Sequence, residues 1–220
     1  ILEGAGAAIV FCDRGFGGYD FVAALQGMEG LDLRHVVVLD QDQPGEGILT
    51  GLAQVRVQGT GGDQQALDQR ISEGRGDDLA DIIFTSGTTG RPKGVPMTCA
   101  QSLAACRAQQ EDISNFTADD VIGVSFPFAH NAGYRAGWQI ALLHGVRILP
   151  VGVVDSAGLL EVIESERITY LPTVVAVAQG LIGHPDRETR DLSSLRLLAT
   201  GGTTIPVKLV EDLLTHLEPG

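Results

Sequence analysis

The chain has 220 residues, 44% hydrophobic and 20% charged, enough for one sizeable core. Its formal net charge of −13 argues against nucleic acid as a partner, because phosphate backbones would be repelled. No uninterrupted apolar run approaches bilayer length and no basic-then-apolar leader opens the sequence, so no membrane span is expected.

Ile1 is not an initiator methionine, and Ala7 to Cys12 already reads as an internal strand, so the sequence reads as a piece of a longer protein. Phe21 to Gln26 reads as a short helix and Val36 to Leu39 as a second strand. From Asp40 to Gly76 the pattern dissolves into Gln, Asp and Gly; within it Leu52 to Val57 reads as a strand and Asp68 to Ser72 as a helical turn. Residues 1–76 therefore form a less regular leading segment, and residues 77–220 a regular α/β core. The three cysteines, Cys12, Cys99 and Cys106, are odd in number and unpatterned; they imply free thiols in a reducing, cytoplasmic compartment and no metal site.

The stretch from Asp81 to Gly94, DIIFTSGTTGRPKG, carries the most chemistry. Ile82, Ile83 and Phe84 read as a strand buried on both faces of a parallel sheet. Thr85, Ser86, Thr88 and Thr89 then set four hydroxyls beside Gly87 and Gly90, and Lys93 adds a cation. Hydroxyls, exposed backbone amides and an ammonium together suit a polyphosphate. The ordinary P-loop spacing fails, since Lys93 is followed by Gly94 and not by Ser or Thr. A plain surface loop has the same composition. Between Asp81 and Glu111 there is no acidic residue, while Arg91, Lys93 and Arg107 make the window locally positive.

The string TSGTTGRPKG resembles the phosphate-binding signature of the adenylate-forming (AMP-binding) superfamily, which includes acyl-CoA synthetases, peptide-synthetase adenylation domains and firefly luciferase. That resemblance implies nucleotide and pyrophosphate binding by Thr85, Ser86, Gly87, Thr88, Thr89, Gly90 and Lys93.

Beyond the signature, Thr98 to Gln101 fits a capping box, and Cys99, Leu103, Cys106 and Ile113 follow at helical spacing as a buried stripe. Strands are expected at Val121 to Phe126, Val146 to Leu149, Ile168 to Leu171 and Leu195 to Ala199. Helices are expected at Tyr134 to His144, Ser156 to Arg167, Thr173 to Ile182 and Val207 to Leu217. This alternation gives an α/β fold: an open, mostly parallel sheet with helices on both faces. Ligands then collect at the carboxyl ends of the strands. Three such ends carry polar or glycine-rich segments, after Phe84, at Pro127 to Gly133 and at Thr200 to Thr204, and the fold predicts that they converge.

His130 taken alone reads as a solvated or capping histidine. FPFAHNAG, however, is similar to the family's second segment, which implies that His130 lies by the substrate carboxylate. The peptide-synthetase branch tends to place an aspartate there; Phe128 to Asn131 offers none, which disfavours an amino-acid substrate. Gly201, Gly202 and Thr203 make a tight turn that resembles the family's adenylate-binding glycine run, although Thr203 and Thr204 depart from it. Cys99 departs further, standing where many relatives have a histidine. Tyr134 and Trp138, four apart, read as core aromatics, with lining of an acyl pocket as the alternative.

The resemblance implies an acid:CoA ligase that uses ATP, Mg2+ and CoA and acts on a small-molecule carboxylic acid. The alternatives are an adenylation domain that loads a carrier protein, and a catalytically silent nucleotide-binding fragment. The family's magnesium, ribose and C-terminal lysine segments have no counterpart in the chain, so no complete catalytic set is expected and the C-terminal domain is absent.

Overall fold

The computed structural model describes residues 1–40, 47–86, 90–152 and 155–216. It divides into two compact units, Ile1–Cys99 and Ala100–Gly220.

In the first unit β1 (Ile9–Cys12), β4 (His35–Val38) and β5 (Leu49–Gly51) form a parallel sheet in the order β1-β4-β5. A two-residue hairpin, β2 (Gly15–Phe16) and β3 (Tyr19–Asp20), leads into α1 (Phe21–Gln26). The Asp20 carboxylate accepts from the Ala23 amide at 2.8 Å and fixes the helix start. Val22 then packs on Val36 and Val38 in a small core edged by Leu25 and Leu49.

Leu52 to Val57, expected as a strand, is instead part of α2 (Leu52–Gly59). The alternation Val-Arg-Val imitated a strand, yet Leu52 to Val55 are all half-buried and Arg56 and Val57 exposed, so burial does not alternate along the segment as it would in a half-buried strand. The helical turn expected at Asp68 to Ser72 belongs to a longer α3 (Gln64–Glu73), capped by Asp63 through the Ala66 amide at 3.0 Å.

A second correction concerns Ile82 to Phe84. They lie in β6 (Leu79–Thr85), which pairs antiparallel with β7 (Lys93–Thr98) as a two-stranded hairpin and is only half-buried there. A three-residue apolar run fits a hairpin as well as a buried parallel strand, and the partner was hidden by Pro96, which a strand with a free edge tolerates.

The second unit starts with α4 (Cys99–Gln109), whose first residue closes the first unit, and runs into a π-helical turn at Gln110–Ser114. The expected cysteine stripe is altered: Ser102 and Cys106 are the buried positions, while Ile113 is 59% exposed. The wider turn of the π segment, with hydrogen bonds spanning five residues, rotates Ile113 off the face that Cys106 occupies.

β8 (Val121–Val124) is followed by one helical run, α5 (Asn131–Gly133), a π-helix at Tyr134–Gln139 and α6 (Ile140–His144), then by β9 (Arg147–Pro150). α7 (Ser156–Glu166), β10 (Tyr170–Val174), α8 (Val175–Gly183), β11 (Leu197–Gly201) and α9 (Val207–His216) complete it. The four strands are all parallel, in the order β11-β10-β8-β9. From β8 the chain steps to one side for β9 and then crosses to the other side for β10 and β11. A topological switch point therefore lies between β8 and β10.

Alternation along the strands sorts the core into two layers. Val121 and Leu171 pack with Leu159, Leu160 and Ile163 of α7 and with Leu181 of α8. Ile122, Val124 and Tyr170 pack on the other side with Ile140, Ala141 and Phe116. β10 and β11 each begin two residues later than the apolar runs imply, because Ile168 and Leu195 are buried in the approaches to the strands. Hydrophobicity reports burial there, not ladder pairing.

Candidate active site

The first expected site is the tip of the β6–β7 hairpin. Thr85 and Lys93 are its closing pair, and the Thr85 hydroxyl donates to the Lys93 carbonyl at 3.5 Å. Thr85, Ser86, Gly90 and Lys93 are all exposed, Gly90 has φ +83°, and among the described residues Lys93 has no ion-pair partner. Gly87, Thr88 and Thr89 lie outside the described residues. The hairpin thus offers a lysine and two hydroxyl residues flanking the glycine-rich turn.

The second and third expected sites come together within the second unit. Past the carboxyl ends of β8, β10 and β11, at the switch point, lies a cavity of about 600 Å³. Its walls include His130, Thr173, Thr200, Gly201, Gly202 and Thr203, with an apolar side formed by Phe126, Ala136, Tyr170, Pro172 and Ala199. No acidic or basic side chain, other than the His130 imidazole, borders it among the described residues.

His130 is held on three sides. Its amide donates to the Pro127 carbonyl at 2.9 Å, its carbonyl accepts from the Tyr134 amide at 2.8 Å, and its ring stacks on Phe126 with centroids 5.8 Å apart. The Ala132 amide donates to Nδ1 at 3.2 Å, which makes His130 the cap of the helical run. An accepting Nδ1 leaves the proton on Nε2, so the imidazole retains a donor. The cap and the ligand readings of His130 are therefore compatible. Gly133 explains how the turn is so tight: a Cβ there would lie 2.3 Å from the Pro127 carbonyl oxygen.

On the opposite rim Gly202 has φ +84°, a left-handed conformation that glycine adopts without strain. Thr200 stands beside Thr173 in the β10–β11 register, and its Oγ1 is buried without a hydrogen-bond partner among the described residues. A buried hydroxyl with no protein partner, at the wall of a cavity, is free to bond a ligand atom or a water.

Tyr134 and Trp138 pack on each other at 4.7 Å but do not border the cavity; Ala132 and Ala136, on a neighbouring face of the same run, do. Buried Arg135 ties that run to α4, donating to Ser102 Oγ at 2.6 Å and to Asn131 Oδ1 at 2.9 Å. Sequence reasoning missed Tyr170, Pro172, Thr173 and Ala199 as cavity walls. Only the switch-point topology separates them from core residues.

The sequence matches the profile of the family described as AMP-binding enzyme over residues 1–219. It is 38% identical over 222 residues to the 3-[(3aS,4S,7aS)-7a-methyl-1,5-dioxo-octahydro-1H-inden-4-yl]propanoyl:CoA ligase of Mycobacterium tuberculosis (strain ATCC 25618 / H37Rv), covering 99% of this chain and 42% of that protein. It is 34% identical over 137 residues to the medium-chain fatty-acid–CoA ligase of Escherichia coli (strain K12), covering 62% of this chain and 24% of that protein. The chain thus spans less than half the length of these relatives. Among solved structures, an anthranilate CoA ligase in complex with anthranoyl-AMP superposes with a TM-score of 0.80 at 20% identity, covering 98% of this chain and 40% of that one. This last likeness shows a shared fold.

Proposed function

The chain belongs to the AMP-binding enzyme family, and from that premise we propose that it is part of a longer acid:CoA ligase acting in the cytoplasm. The observation that carries the reading is the cavity at the switch point, apolar on one side, with no carboxylate among its described lining residues, and rimmed by His130, Thr200 and the Gly201–Thr203 turn. A monocarboxylic acid enters with its hydrocarbon part against Phe126, Ala136 and Ala199 and its carboxylate towards the polar rim. The His130 Nε2–H and the unpartnered Thr200 hydroxyl orient it, and Gly201, Gly202 and Thr203 let the adenylate lie against bare backbone.

In the first step a carboxylate oxygen attacks the α-phosphorus of ATP, the bond to the bridging oxygen breaks, and pyrophosphate leaves with the electron pair. Thr85, Ser86, Gly90 and Lys93, with Gly87, Thr88 and Thr89 between them in sequence, hold the β- and γ-phosphates as charge moves onto the leaving group. In the second step the thiol of CoA attacks the acyl carbonyl and AMP departs. Mg2+ is proposed to arrive on the nucleotide; among the described residues no group of three or more His, Cys, Asp or Glu is placed to hold a metal ion.

The substrate class is proposed to be bulky or cyclic acids, supported by the carboxylate-free wall and by the bicyclic acid in the name of the Mycobacterium tuberculosis relative. The test is ATP–pyrophosphate exchange by the full-length protein against a panel of fatty, aryl, cyclic and amino acids, followed by thioester formation with CoA. Exchange and CoA-thioester formation with a cyclic or fatty acid are expected. Exchange without transfer to CoA would favour a carrier-protein acceptor, and no exchange with any acid would overturn the reading.

A further inference from the structure

Tyr170 stands between two cavities. It is 2% exposed, yet it borders the space described above and also a second one of about 360 Å³, whose far walls include Ala105, Ala108, Gln109 and Ile113. Ala136 and Ala199 also border both, so between the two spaces stand two methyl groups and one phenol. The phenol ring is fixed by Phe116, at 5.2 Å between centroids and tilted by 57°.

The polar end of Tyr170 is only half used. Gln109 Nε2 donates to the phenolic oxygen at 3.2 Å, so in that bond the phenol is the acceptor. The phenol's own proton has no acceptor among the described residues. Burial pushes this phenol up to about 12, against a smaller opposing effect of the Gln109 hydrogen bond, so it remains a neutral O–H donor across the physiological range. Ala105, Ala108, Ala136 and Ala199 line the second space and satisfy no donor, whereas an uncharged oxygen on a ligand would.

We propose that Tyr170 is a specificity-determining residue of the acid site: its hydroxyl donates to a ring ketone or similar uncharged oxygen carried on the distal part of a cyclic acid whose carboxylate lies at the His130 end. This rests on the reading of the cavity as the acid site of a ligase. Tyr170, turned by Gln109 and Phe116, recognises one oxygen, while Ala136 and Ala199 leave room for a ring beside it. A plain hydrocarbon ring fits the same space but leaves the donor unpaired, and a second carboxylate would be drawn into an apolar wall with Asp112 on the far cavity's margin.

The experiment uses the full-length protein and matched 3-cyclohexylpropanoic acids with and without a ring ketone, read by ATP–pyrophosphate exchange for wild type and Tyr170→Phe. Phe keeps the ring and its packing and removes only the hydroxyl. Wild type is expected to favour the best keto acid by about three- to tenfold in kcat/KM, the worth of one neutral hydrogen bond. In Tyr170→Phe that ratio is expected to fall to about one, the keto acid losing more than the unsubstituted acid. The proposal is overturned by a ratio unaffected by the substitution, by wild-type preference for the unsubstituted ring, or by an equal fall for both acids, which marks a structural role. Activity with fatty acids but with neither ring acid would remove Tyr170's role and leave the ligase reading standing. No exchange with any acid would remove both.

Discussion

Arg196 and Asp120, 76 residues apart in sequence, meet in a two-pronged ion pair: Nε donates to one carboxylate oxygen at 2.8 Å and Nη2 to the other at 3.0 Å. Thr169 Oγ1 and the Thr117 amide add hydrogen bonds at 2.6 and 2.8 Å, and Asp120 is 4% exposed. The pair ties the residue before β8 to the approach of β11, at the end of the sheet opposite the cavity. Burial alone would raise the Asp120 carboxyl, but the hydrogen bonds from Arg196, Thr169 and Thr117 outweigh it and hold the pKa at about 2.

Asp120→Asn is therefore expected to destabilise the protein by about 2 kcal/mol, since it leaves the Arg196 charge without its counterpart. Because the folded pKa is depressed, the wild-type contribution is fully present above the unfolded value near 4 and is lost as pH falls towards about 2. Denaturant unfolding of both proteins between pH 6 and pH 2 checks this. The stability gap is expected to narrow across the acidic limb, and a gap constant with pH would refute the linkage.

Lys93→Ala is expected to slow adenylate formation by about 2–4 kcal/mol in the full-length protein, because its charge matters most as pyrophosphate departs. Its side chain is exposed at the hairpin tip and buries no core, so circular dichroism should be unchanged. A fall in exchange that tracks loss of folded signal would contradict this account.

Gly133→Ala places a methyl group 2.3 Å from the Pro127 carbonyl oxygen, and backbone on both sides leaves little room to yield. A cost of about 1–3 kcal/mol is expected. The same shift would displace His130, so KM for the acid should rise as well. Thermal melting and exchange kinetics measure the two effects separately; wild-type values in both would show that the turn relaxes freely.

Among the described residues the cavity wall carries no carboxylate to meet an α-ammonium group. Fatty, aryl or cyclic acids are expected to be preferred over the matching α-amino acids by several kcal/mol, roughly the cost of burying an unpaired ammonium. Comparable kcat/KM for any proteinogenic amino acid would sink this expectation.

Sequence reading succeeded where a capping side chain precedes an apolar helical face: α1 behind Asp20 and α7 behind Asp155, whose carboxylate accepts from Gly158 at 2.8 Å. The His130 segment and the Gly201–Gly202 turn, singled out by their residues, are brought by the parallel sheet to one cavity, while their ligand-binding role is a proposal. Sequence reading failed on β6, because three apolar residues look alike in a buried parallel strand and in a hairpin. It could not separate Tyr170 or Ala199 from the core, since a cavity wall and a packed interior use the same residues. What distinguishes them is where the chain reverses its order across the sheet, a property of the whole topology and of no local window.

The strand order also sets a sequence of assembly. The β6–β7 hairpin closes through residues as few as eight apart, so its loop-closure entropy is small and it can form as soon as both strands exist. The switch-point cavity needs β11, whose approach is pinned to Asp120 across a much longer loop. During synthesis the β6–β7 hairpin is therefore complete while the β11 wall of the cavity is still unmade. An emerging chain stopped before Arg196 would carry that hairpin but leave β10 as an open edge, with the backbone of Tyr170 to Val174 lacking its β11 partner and open to whatever strand or chaperone meets it first.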